Sequence, residues 1–149
     1  MPPPLDSKAR RILLAISLLA VAGMAVSSLS LYHHYGTSTS SYCDFGASFN
    51  CDMVNRSIYS VVLGVPVALI GLLGYAALFM FSTLYRRRAQ TPALLLLGSL
   101  AGLGFTLYLA YVENFILAVW CVLCLSSLGL IVATAVLSGW LMKDSRIRN

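Results

Sequence analysis

The chain has 149 residues, of which 59% are hydrophobic and only 10% charged, and its mean hydropathy is +0.84. A soluble domain carries about 25% charged residues, and neither disorder nor nucleic-acid binding fits so apolar a composition. The net charge of +5 comes from short basic clusters rather than from a basic face, so a single membrane domain over residues 1–149 is expected.

A helix crosses a bilayer with about 20 mainly apolar residues, and four stretches meet that length. The first is expected from about Ile12 to Leu31. It begins like a signal peptide ("KARRILLAISLLAVAGMA", with Ala20 and Ala22 near a candidate cut). Its apolar run exceeds the roughly 7–15 residues of such a segment, so a retained helix is expected. An outer loop, residues 32–65, follows. Within it Ser57 to Leu63 is apolar and separated from the next span by Gly64 and Pro66, which suggests a short helix lying at the interface. The second span is expected at about 66–84, the third at about 92–111 and the fourth at about 114–142. Pro66 and Pro92 fall near helix starts, where a missing N–H costs little. The predicted fold is an all-α integral membrane protein: a four-transmembrane-helix bundle with a short interfacial half-helix in the first outer loop.

Basic residues set the orientation. Lys8, Arg10 and Arg11 precede the first span, Arg86, Arg87 and Arg88 divide the second from the third, and Lys143, Arg146 and Arg148 follow the fourth. The opposite side has only Arg56, with Asp44, Asp52 and Glu113. Both termini are therefore expected in the cytoplasm.

This topology gathers the four cysteines on the outer face. Cys43 and Cys51 lie in the first outer loop, "YCDFGASFNCDMVN", and Cys121 and Cys124 open the last helix in "AVWCVLCLSSL". Outside a bacterial plasma membrane, disulfides form and persist. Two structural bridges would satisfy that setting, and four cysteines can also hold zinc. A Cys-x-x-Cys ring, however, restrains an unfolded chain less than a long loop does. Its sulfurs share one helical face, and a helix N-terminus favours the thiolate. A redox relay fits these features better. A loop made pliant by Gly46, Ala47 and Ser48 exchanges with a soluble dithiol protein and passes electrons to the inner pair. A lipid-soluble two-electron acceptor such as a quinone then receives them. No metal and no nucleic acid are expected.

At these residues the chain resembles a bacterial member of the vitamin K epoxide reductase family. The resemblance rests on Cys43-x7-Cys51, Ser57 six residues later, "YSVVLGVPVALIG" leading into a helix, and the Cys-x-x-Cys of the last helix. It implies a helical bundle around ubiquinone or menaquinone that reoxidises a thioredoxin-fold, DsbA-like partner and so supports disulfide formation. On that basis Cys43 would meet the partner, Cys51 would exchange with Cys121, and Cys124 would face the quinone. Ser57 would lie near the quinone, with Phe49 and Trp120 as further candidates to border it. Leu128 stands where the vertebrate enzymes carry a tyrosine, and the outer loop is shorter than theirs. Both departures point away from vitamin K epoxide as substrate. Only Lys143 to Asn149 follow the last span, so the partner is expected to be a separate protein. Two alternatives remain: the DsbB family of disulfide oxidases, whose Cys-x-x-Cys lies in the first outer loop, and a non-enzymatic, disulfide-braced membrane protein.

Among the remaining residues, Gly98 and Gly102 form a Gly-x-x-x-Gly suited to close helix packing. His33 and His34 are expected as surface residues ending the first helix. Tyr32, Tyr35, Tyr42, Tyr111 and Trp120 fit an outer aromatic belt.

Overall fold

A computed structural model describes residues 5–36, 43 and 46–148; Tyr42, expected in an aromatic belt, and Asp44 lie outside them. The chain is mostly helical. Helix α1 spans Ser7–Tyr35, a one-turn helix α2 spans Cys51–Asn55, and a 3-10 turn covers Ile58–Ser60. Two-residue strands β1 (Val61–Val62) and β2 (Val65–Pro66) follow, then helices α3 (Val67–Thr83), α4 (Thr91–Val112) and α5 (Val122–Arg148).

By length and composition α1, α4 extended to Leu117, and α5 can each cross a membrane. Helix α3 is equally apolar, but its 17 residues rise only about 26 Å at about 1.5 Å per residue, at the lower limit for a span. Apolar side chains cover the outside of the bundle: Leu18, Leu73, Leu97 and Trp140 are all more than half exposed.

Lipid tails are as apolar as leucine, so burial alone does not drive helix association in a bilayer; close packing and interhelical hydrogen bonds do. Both are present. Helix α1 packs on α3 and α5, and α4 packs on α5 and α3, around Ile16, Ala20, Tyr75, Leu95 and Ile131. The Ser17 and Ser82 hydroxyls meet at 2.9 Å and join α1 to α3. The Tyr75 hydroxyl donates to the Ser127 carbonyl at 2.9 Å and joins α3 to α5. Glycines let backbones approach where these contacts form. A Cβ on Gly23 would run into the Tyr75 ring, and one on Gly102 would come within 3.1 Å of the Ile131 side chain. Gly98 faces Leu78 of α3 instead, so the Gly-x-x-x-Gly of α4 serves two neighbours.

Two expectations change. The segment Ser57 to Leu63 is not a helix: it is the 3-10 turn followed by a tight hairpin pairing Val61 with Pro66 and Val62 with Val65. Leu63 (φ 53°) and Gly64 (φ 82°) both adopt the left-handed region, as a two-residue hairpin turn of the I′ type requires. Its apolar composition reads as helix only while that turn goes unnoticed. The short helix lies earlier, at Cys51–Asn55, where the Asn50 side chain accepts the Met53 N–H at 2.8 Å and caps it. The second change concerns the last span, expected from about Asn114. Residues Glu113–Leu117 instead continue α4 as a π-helical turn, Ala118 at φ 52° ends it, and α5 begins at Val122.

Candidate functional site

Cys43 and Cys51 are joined by a disulfide across a separation of eight residues, with Cα atoms 5.6 Å apart. Cys121 and Cys124 are free thiols. Three cysteines are nearly inaccessible: Cys43 is 1% exposed, and Cys51 and Cys121 are both 0% exposed. They share one buried cluster with Val54, Val119 and Leu123, and Cys124 packs at its edge.

The loop between α1 and α2 is docked through the backbone at its end on the segment before α5. Phe49 and Trp120 form a short parallel bridge, in which the Asn50 N–H donates to the Trp120 carbonyl at 3.1 Å and the Trp120 N–H to the Ser48 carbonyl at 2.9 Å. This brings the start of α2, and so Cys51, to the residue next to Cys121. Asn55 ties the two more closely. Its side-chain N–H donates to the Cys51 carbonyl at 2.9 Å and reaches the Cys121 sulfur at 3.8 Å, while its side-chain oxygen accepts from the Ser30 hydroxyl of α1.

Cys121 precedes the first turn of α5, accepting the Leu125 N–H on its carbonyl at 3.0 Å. Its thiol titrates below the ordinary value, chiefly because the Cys124 thiol hydrogen-bonds to it, with the Cys124 and Leu123 N–H groups adding to the effect. Burial and the Glu113 carboxylate oppose the shift. The Cys121 N–H donates to Glu113 Oε2 at 3.1 Å.

A cavity of about 90 Å³ opens between the helices beneath the loop, lined by Ser57, Tyr59, Phe105, Glu113 and Cys124 among others. A single water needs about 10–15 Å³ of such space, so the cavity has room for a flat ring or several waters. Ser57 and Cys124 therefore face one space. Phe49 and Trp120 do not line it; their backbones form the docking bridge. Among the described residues no group of three or more His, Cys, Asp or Glu gathers as metal ligands.

Four residues that the sequence left unremarked or placed at the surface shape this site. His33 is 1% exposed rather than a surface residue, with Nδ1 2.9 Å from Asp52 Oδ1. The pair pins the end of α1 to the residue after Cys51. His34, half-buried, meets the Asn55 carbonyl. Asn55, four residues after Cys51, sits on the same helical face, a spacing that could have marked it. Glu113 is 1% exposed; its signal is a lone acid eight residues before Cys121, with only Asn114 beside it in a run of apolar residues.

The chain matches the vitamin K epoxide reductase family over residues 14–139, nearly its whole length. The chain belongs to the vitamin K epoxide reductase family. Comparison with curated proteins finds no match. Family membership implies a membrane oxidoreductase of disulfide and quinone chemistry.

Proposed function

We propose that the protein is a quinone-linked thiol oxidoreductase that reoxidises a separate thioredoxin-fold dithiol protein. The observation that carries this reading is the packing of a loop disulfide and a free dithiol into one cluster, with Cys124 opening onto a cavity. A partner thiolate attacks Cys43, releases Cys51 and forms a mixed disulfide. The partner's second thiol resolves it, leaving oxidised partner and a Cys43/Cys51 dithiol. Cys51 then attacks a Cys121–Cys124 disulfide at Cys121, and Cys43 resolves that mixed disulfide, so the loop is again oxidised and the inner pair reduced. Cys124 hands the electron pair to the quinone substrate, with Ser57 beside the same cavity. Each transfer between cysteines is disulfide exchange by a thiolate, and the lowered pKa of Cys121 makes it the better leaving group when Cys43 resolves the Cys51–Cys121 bridge.

The chain sits in this reading as four spans in a bacterial plasma membrane, α3 included, with both termini cytoplasmic and all four cysteines outside. Nine of its 10 basic residues then lie on the cytoplasmic side, as the positive-inside bias favours. Impermeant labelling of single cysteines introduced at Ser48 and Arg87 checks the orientation: label at Arg87→Cys in sealed cells refutes it.

The deciding assay combines purified protein, a reduced thioredoxin-fold partner and a soluble short-chain quinone, followed by quinone absorbance. Consumption that requires both the partner and Cys124, and is lost in Cys124→Ser, is expected. Flat traces from the wild type would sink the redox reading and leave a disulfide-braced membrane protein.

A further inference from the structure

Glu113 is a carboxylate with one oxygen employed and one idle. Oε2 accepts the Cys121 N–H. Oε1 is buried and has no hydrogen-bond partner among the described residues. No lysine or arginine among the described residues pairs with the carboxylate; the ion pairs found there are Lys8 with Asp144 and His33 with Asp52. Burying an acid without a cation is costly, and an Ala or Leu would fill the position at no such cost. The side chain lines the same cavity as Cys124, and the two groups interact. It is aimed there by the π turn that closes α4; such turns gather at functional sites.

We propose that Glu113 is the proton-handling residue of the Cys121/Cys124 pair, with Oε1 taking the Cys124 proton while Oε2 holds the Cys121 amide. The inference rests on the thiol–quinone reading above. In the step concerned both S–H bonds break and one S–S bond forms. Two electrons leave the sulfurs, and the electron pair and two protons end on the quinone, giving the hydroquinone. The Cys124 proton travels by way of Glu113 Oε1, which returns to the carboxylate when the proton moves on across the cavity. The other titratable groups facing this cavity are His34 from α1 and Tyr59 from the 3-10 turn; Cys121 faces the carboxylate from the segment before α5. Neither histidine nor tyrosine touches a cysteine sulfur by any hydrogen bond found among the described residues, which leaves Glu113 as the group placed to receive the proton.

The test uses the full chain in detergent with Glu113→Gln, whose amide oxygen still accepts the Cys121 N–H but cannot take a proton. In a Cys121→Ser background, where Cys124 is the sole free thiol, its alkylation rate is followed against pH. With Glu113 present the profile should bend twice, because thiol and carboxylate titrate as a coupled pair. With Glu113→Gln it should bend once, at lower pH, since a neighbouring negative charge has been removed. In the four-cysteine chain, quinone reduction by the pre-reduced protein should fall about 100-fold or more in Glu113→Gln, within the usual span for lost proton transfer. Matching pH profiles in the two proteins, or a quinone rate unchanged by the substitution, overturns the proposal. Should Glu113→Gln not fold, a single bend with Glu113 in place does so alone. A wild type that reduces no quinone but bends twice instead locates the failure in the redox reading, with the Glu113–Cys124 coupling intact.

Discussion

Asn55→Ala should loosen the contact between the two cysteine pairs, by an amount that follows from its hydrogen bonds. The substitution removes the acceptor for the buried Ser30 hydroxyl and the donor to the Cys51 carbonyl and Cys121 sulfur. A buried polar group left unpaired costs about 1–3 kcal/mol, and a lost ordinary hydrogen bond about 0.5–1.5 kcal/mol. Ser30 lies within α1 and can turn to the carbonyl four residues back, which keeps its share at the low end. The total is then about 2 kcal/mol, or about a 30-fold change in an equilibrium. The assay retains Cys51 and Cys121 alone, by Cys43→Ser and Cys124→Ser, and equilibrates the chain with mixtures of reduced and oxidised glutathione. The fraction in the Cys51–Cys121 disulfide gives the effective concentration of one thiol at the other. It should drop about 30-fold with Asn55→Ala. A change of less than about threefold would refute the view that Asn55 holds α2 against the start of α5.

Gly23→Ala should lower the thermal midpoint in detergent, because its methyl group displaces the Tyr75 ring and overpacking costs about 1–3 kcal/mol; Gly104→Ala, with nothing within 4 Å, should leave it unchanged or raised. His33→Ala removes the buried partner of Asp52 and should cost about 1–3 kcal/mol, read in the same melts; a midpoint equal to that of the wild type would count against a pinned α1 end. Cys124→Ala takes away the donor that holds the Cys121 pKa down, so the pH at which Cys121 becomes alkylated should rise. Cys124→Ser, which keeps a hydroxyl donor, should move it less, and equal shifts in the two variants would show that the hydrogen bond is not the cause.

What could be read in advance, and what could not, follows from how each element is specified. Apolar runs bounded by Arg86 to Arg88 and by Pro92 announce helices because length and flanking charge are written directly in composition. The reversal at Ala118 is different. It is made without glycine or proline, in residues as apolar as the helices on either side, so a hydropathy reading runs straight through it and starts α5 eight residues early. Leu63 hides the hairpin differently: Gly64 and Pro66 mark a break there, but leucine at φ 53° is not a residue that signals the first position of the turn. The cysteine pairs stand out once spacing is combined with the expected topology, whereas His33 and Glu113 look like surface groups because their partners, Asp52 and the Cys121 N–H, lie 19 and eight residues away.

The burial of the loop disulfide has a consequence for leakage. Cys43 and Cys51 are nearly closed to solvent, so in the proposed relay a partner thiol reaches the bridge only after the groups packed over these sulfurs have moved aside. The speed of exchange is then gated by that opening rather than by the strength of the attacking thiol. A small reductant that arrives while the sulfurs are covered collides without effect. A protein able to bind the surface and hold them uncovered gains time to react. Selectivity of this kind needs no snug recognition pocket for the partner: it works as insulation on a wire does, by leaving the conductor bare only where a connector has been fitted.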